Sequence, residues 1–199
     1  MLAAAGGRMP PGAYSIRSQF RGATVLLTGA TGYVGGLVLE ALLRTTDVGR
    51  VLVLLRPKAG AAPDARLAQL LQASIFRKVR DDRHLIAKVS AVAGDISLPN
   101  LGLSDLDRDL VASKVQIILH CAADIRLEVD IQTALASNYL GTRAVLELAR
   151  RCKGLRALVH TSSAFVNMNR PRSSVVGERL YPLTHGRRAV GPEEVVQVG

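Results

Sequence analysis

Five short runs of nearly uninterrupted aliphatic residues, at 24–28, 51–55, 88–93, 115–120 and 157–161, alternate with longer stretches in which apolar positions recur every three to four residues. Val, Leu and Ile without polar alternation are how strands buried on both faces read, and the period between them is that of helices. Helices are expected over 33–44, 65–80, 104–113 and 131–152, the last long and rich in Ala, Leu and Glu. Strand alternating with helix predicts a parallel sheet covered on both sides, an α/β doubly wound, Rossmann-like domain. Beyond Asn167 the periodicity fails, and prolines, glycines and scattered charges give an irregular tail over 170–199. The organisation expected is a flexible leader over 1–19, a nucleotide-binding domain over 20–169, and that tail.

A length of 199 residues suits one domain, and an apolar content of 48% with 21% charged residues is ordinary for a folded α/β protein. The longest apolar runs are about five residues, far short of the roughly 20 that cross a bilayer. The net charge of +10 comes mostly from single arginines spread over expected helices and loops, without interleaved aromatics. It therefore points to an anionic cofactor or substrate, or to an anionic surface, rather than to nucleic acid. Cys121 and Cys152 are too few and too far apart for a disulfide framework or a zinc site, and no metal is expected. The acid-free, Arg- and Ala-rich beginning has the composition of a transit peptide as well as of a disordered leader.

The chemistry concentrates at strand ends. TGATGYVG, at Thr28–Gly35, follows the first strand and opens the first long helix. Unpaired amides at a helix start, with glycines that let a pyrophosphate approach, form an anion site. Thr28, Gly29, Thr31, Gly32, Tyr33, Val34 and Gly35 are accordingly expected at a dinucleotide. No Gly-Lys-Ser or Gly-Lys-Thr follows, which excludes an ATPase phosphate loop. The second strand ends without the acid that would hold a free ribose hydroxyl and runs instead into Arg56, Pro57 and Lys58. Arg56, seconded by Lys58, suits a 2′-phosphate, so NADP is expected over NAD. Asp95 and Ile96 close the third strand and Cys121, Ala122 and Ala123 the fourth, with Asp95 expected to accept from the adenine amine and the alanines to lie under a ribose. His120, as a strand-end histidine, is expected to be structural.

Together the glycine motif, GDIS at 94–97, HCAA at 120–123, Asn138 followed by LGT, and VHTSSAFVN at 159–167 resemble the extended short-chain dehydrogenase/reductase superfamily. The string GDISLPNLGLS at 94–104, with LLRPK before it and ERLYP at 178–182, more narrowly resembles the fatty acyl-CoA reductases, and related thioester-reducing domains share the first half of the pattern. The resemblance covers roughly 20–183 and implies NADPH-dependent reduction of a long-chain acyl-CoA to an aldehyde and then a primary alcohol. It implies that Ser163, with Ser162 as fallback, hydrogen-bonds the carbonyl oxygen, and that Asn138 supports a proton relay. It also implies action at an organelle membrane, the endoplasmic reticulum, peroxisome or plastid, reached through a C-terminal region.

One departure matters. The superfamily's acid is a tyrosine with a lysine four residues later, whereas the residues four beyond Tyr14, Tyr33, Tyr139 and Tyr181 are Ser18, Leu37, Arg143 and His185. The expectation is a reductase truncated at its C-terminus, holding the cofactor part without the acid pair, with proton delivery impaired by about 10²- to 10⁴-fold. Two other readings stay open: a noncatalytic NADP-binding module of the same fold, and a sugar-nucleotide-modifying relative, which GDISLPNLGLS disfavours.

Overall fold

The computed structural model describes residues 15–57, 60–167, 170–179, 181–185 and 188–190. Each expected aliphatic run forms a strand: β1 (Thr24–Thr28), β2 (Arg50–Leu55), β3 (Val89–Ala93), β4 (Ile117–His120) and β5 (Ala157–His160). They pair in parallel in the order β3-β2-β1-β4-β5. The chain crosses from β3 at one edge to β4 beside β1, so the sheet order reverses at β1, where open α/β sheets bind ligands.

Burial on both faces explains the unbroken aliphatic runs. Val25, Leu27, Val51, Val53, Leu55, Ile117 and Leu119 enter one core with α2 (Tyr33–Thr45) and α3 (Pro63–Leu71). Their neighbours Leu26, Leu52, Leu54 and Ile118 enter a second core, with α5 (Asp105–Lys114) and α7 (Gly141–Arg151), through Val111, Val145 and Leu148. β5 departs from this pattern. It is the edge strand opposite β3, and Val159 is 54% exposed.

The helix expected over 65–80 ends at Leu71, and Ala73 is extended (ψ 150) before a 3₁₀ turn at Ser74–Phe76. That break lets Phe76 and Val79, both fully buried, turn into the first core. A short α4 (Arg83–Ile86) then stands where none was expected, capped by the Asp82 carboxylate, which accepts from the His84 and Leu85 amides. The expected leader contains α1 (Ile16–Phe20), fastened by two hydrogen bonds from Arg17 to the Asp47 carboxylate. The expected irregular tail contains an antiparallel pair, β6 (Leu183–His185) with β7 (Arg188–Val190).

The stretch ISLPNLGLS folds into a turn at Pro99–Gly102 in which Asn100, Leu101 and Gly102 all have positive φ (52°, 61° and 60°). Left-handed backbone is costly for leucine, and burial of Leu101, 1% exposed in the second core, offsets it. The turn brings the Leu101 carbonyl back to accept from the Asp95 amide at 2.8 Å, which fixes the end of β3. Gly102→Ala is expected to cost about 1–2 kcal/mol, the ordinary cost of a side chain in the left-handed region. A denaturant titration checks this, and an unchanged midpoint would show that the turn relaxes freely.

Candidate active site

A cavity of about 800 Å³ opens at the carboxyl ends of β1 to β4. Its floor is the glycine turn. Gly29 has φ +76°, and a Cβ there would stand 2.5 Å from the Ala122 amide nitrogen, so only glycine lets the β1 and β4 loops touch. A Cβ on Gly35 would lie 2.2 Å from the Gly29 carbonyl oxygen, so Gly35 seats the first turn of α2 on the loop rather than forming the cavity wall. Gly32 begins α2 and does face the cavity, as do Thr28, Gly29 and Thr31. The Tyr33 side chain is 81% exposed and that of Val34 48%, so those residues offer the site the opening amides of the helix, not their side chains.

The walls hold five charged side chains. Arg56, at the end of β2, has a loose ion pair with Asp95 at 3.9 Å. The Asp95 carboxylate is turned by its own loop, one oxygen accepting from the Ser97 amide at 2.9 Å and hydroxyl at 2.8 Å. Arg66, from the first half of α3, donates to the Arg56 carbonyl and puts a second guanidinium on the same wall. Across the cavity Arg126 binds Asp124 and holds its carboxyl down at about 2 through side-chain and backbone hydrogen bonds. Ile96, Cys121, Ala122 and Ala123 line the same cavity, while Lys58 lies outside the described residues. The sequence offered no local signal for Arg66, ten residues beyond Arg56, or for Ser137. Asp124 and Arg126 merely continue the HCAA segment.

The helix expected over 131–152 is continuous but not uniform. α6 (Ile131–Ala134) passes through a π turn, Leu135–Leu140, into α7. Such widenings recur at functional sites, and this one carries Asn138. The Asn138 side chain grips the backbone of Asp124 in both directions: its Oδ1 accepts from the amide at 2.7 Å and its Nδ2 donates to the carbonyl at 2.8 Å. Asn138 thereby braces the cavity loop without lining the cavity. Ser163 stands beyond β5, its hydroxyl accepting from the Phe165 amide at 3.2 Å, also off the wall.

His120 is 1% exposed at the end of β4, with its ring stacked on His160 at 5.0 Å. Burial, reinforced by the neighbouring His160, pushes its imidazole down to about 4, so it is neutral at physiological pH. Tyr33, Tyr139 and Tyr181 all lie off the cavity wall, and Tyr14 lies outside the described residues. Tyr181 packs beneath Arg170 and Arg179, and hydrogen bonds from Arg179 and from the Gly177 amide pull its phenol below the ordinary range.

A family model of NAD-binding domains, described as male sterility protein, matches residues 27–194. The chain belongs to that family. Among curated relatives of this family, it is 37% identical over 170 residues to fatty acyl-CoA reductase 1 of Xenopus laevis. It is 36% identical over 170 residues to fatty acyl-CoA reductase 1 of Homo sapiens. Each alignment covers 84% of this chain and 32% of the relative, so the chain spans about a third of the length of these relatives. Of the solved structures, the terminal R domain from the myxalamid PKS-NRPS biosynthetic pathway superposes with a TM-score of 0.62 at 30% identity, covering 86% of this chain and 40% of that one. The reductase domain of a nonribosomal peptide synthetase from Mycobacterium tuberculosis gives 0.60 at 30%, covering 73% and 34%.

A male sterility family domain takes a nicotinamide dinucleotide, and the residues present fit one. Gly32 leaves its backbone open to the cavity, the opening amides of α2 are without intrahelical partners beside it, and guanidinium groups line the wall beside β2.

Proposed function

We propose that this chain is the cofactor-binding part of an NADPH-dependent fatty acyl-CoA reductase, acting on long-chain acyl-CoA and forming an aldehyde and then a primary alcohol. The observation that carries the cofactor choice is the pair Arg56 and Arg66 on one cavity wall at the end of β2, a strand that supplies no carboxylate. A 2′-phosphate is a dianion that two planar guanidinium forks bind well, whereas a free ribose hydroxyl asks for an acid there. The substrate class rests on the 35–37% identity to fatty acyl-CoA reductases.

When bound, the cofactor supplies hydride, two equivalents for thioester to alcohol, with the thiol leaving at the aldehyde stage. The α2 amides beside Gly32 would hold the pyrophosphate, Arg56 and Arg66 would hold the 2′-phosphate, and Ala122 and Ala123 would let the ribose lie against backbone. Asn138 keeps residues 122–124 in place. Ser163 is the hydroxyl assigned to the carbonyl oxygen, donating to it as negative charge develops.

A second reading, a noncatalytic NADP-binding module, is favoured by one specific observation: among the described residues every tyrosine lies off the cavity wall. One measurement tests the enzyme reading directly. The purified chain is titrated with NADPH and NADH, then assayed for NADPH oxidation dependent on a long-chain acyl-CoA. The enzyme reading expects tighter binding of NADPH and oxidation that requires the thioester. A folded chain that binds NADPH and never turns over is either a cofactor domain apart from the rest of its enzyme or a binding module.

A further inference from the structure

We infer that His120 is a positioning residue of the cavity, fixed as its Nε2–H tautomer and completing a ring of side-chain hydrogen bonds that holds residues 122–124 against the glycine turn. The directions follow from counting hydrogens. The Thr142 hydroxyl donates its one hydrogen to the Asn138 carbonyl at 2.7 Å. Toward His120 Nε2, 3.1 Å away, it can therefore only accept, so Nε2 carries the hydrogen. In the neutral ring Nδ1 is then a bare acceptor, and the Thr28 hydroxyl donates to it at 2.7 Å. With its hydrogen committed, Thr28 Oγ1 accepts from the Ala122 amide at 3.2 Å. Asn138, where this series began, grips the Asp124 amide and carbonyl, so the cavity loop is fastened at both ends.

Three distant parts of the chain meet at one imidazole: Thr28 at the end of β1, His120 itself at the end of β4, and Thr142 in the first turn of α7. Both ring nitrogens are satisfied, which is how a buried polar group avoids a desolvation penalty. A second proton would place an Nδ1–H against the Thr28 hydroxyl hydrogen. Thr28 would then have to turn its hydrogen away, toward the Ala122 amide it now accepts from. His120 therefore acts through its neighbours and does not itself touch the cavity wall.

Nitrogen-15 spectra of the imidazoles and amide hydrogen exchange on the full 199-residue chain test this. The wild-type spectrum is expected to show His120 as a single Nε2–H tautomer, and an Nδ1–H tautomer overturns the assignment without any variant. Thr142→Val is expected to mix the tautomers and to speed exchange at the Ala122 and Asp124 amides by about tenfold, the effect of losing one hydrogen bond, with β2 amides unchanged. Thr142→Ser is expected to restore the wild-type pattern. Val145→Ala, a core truncation in the same helix, is the control: if it accelerates those two amides as much as Thr142→Val does, the effect is general loosening and the proposal falls. Only the accompanying NADPH titration rests on the dinucleotide reading. A wild-type chain that binds no dinucleotide defeats that reading and leaves spectrum and exchange to decide on His120.

Discussion

Gly32→Val is expected to leave the chain folded and to weaken nicotinamide dinucleotide binding by about a hundredfold or more, the equivalent of one or two charge-assisted hydrogen bonds. Gly32 has φ −84° and ψ 169°, a conformation that valine adopts readily, and the position of its Cβ meets only the Gly29 carbonyl, at 3.3 Å. The fold takes the side chain once the Gly29 carbonyl gives by a few tenths of an ångström, while the cavity that Gly32 lines does not keep its open backbone. The two neighbouring glycines cannot serve this purpose. At Gly29 and Gly35 a Cβ would collide with backbone, 2.5 Å from the Ala122 nitrogen and 2.2 Å from the Gly29 oxygen, so substitution there damages the fold and the site together. Calorimetric titration beside a thermal melt checks the expectation. Full affinity in a folded Gly32→Val chain would reduce the glycine loop to a turn.

Arg56→Ala is expected to weaken NADPH binding by about 10- to 100-fold while changing NADH binding little, because only the former carries a phosphate on the adenosine ribose. Little stability should be lost. The present partner of Arg56 is Asp95 at 3.9 Å, and the Arg56 side chain is 61% exposed, a pairing worth little in water. Arg66→Ala should act in the same direction. Its bond to the Arg56 carbonyl also braces the end of β2, so part of its effect comes through Arg56. Paired titrations with the two cofactors decide. Equal losses for NADPH and NADH would move Arg56 from phosphate recognition to general support of the wall, and with it the argument for NADP.

Much of the site was legible because its determinants are local. TGATGYVG sits at a strand-to-helix junction, and the residues closing three further strands are ligand-facing in any parallel sheet. Arg66 and Ser137 escaped because the relation that brings them to the cavity is spatial. Arg66 reaches Arg56 because α3 packs beside β2, and Ser137 reaches the cavity from the π turn. Asn138 was singled out by resemblance, and the two-way grip on Asp124 needed the loop and the helix in place together.

The sequence by itself determined the five strands, their parallel pairing and the glycine turn. These follow from periodicity, from burial on both faces and from a backbone that only glycine adopts at Gly29. Tertiary structure alone decided the break after Leu71, which packing of Phe76 and Val79 into the core imposes against a good helical pattern. It alone decided the left-handed turn at Asn100–Gly102, where buried Leu101 outweighs local preference. It also decided the protonation of His120, since which nitrogen bears the hydrogen depends on Thr28 and Thr142, residues 92 and 22 positions away along the chain. Periods and turn chemistry are properties of neighbours in sequence, whereas packing, burial and hydrogen-bond direction depend on groups that meet only after the chain has folded.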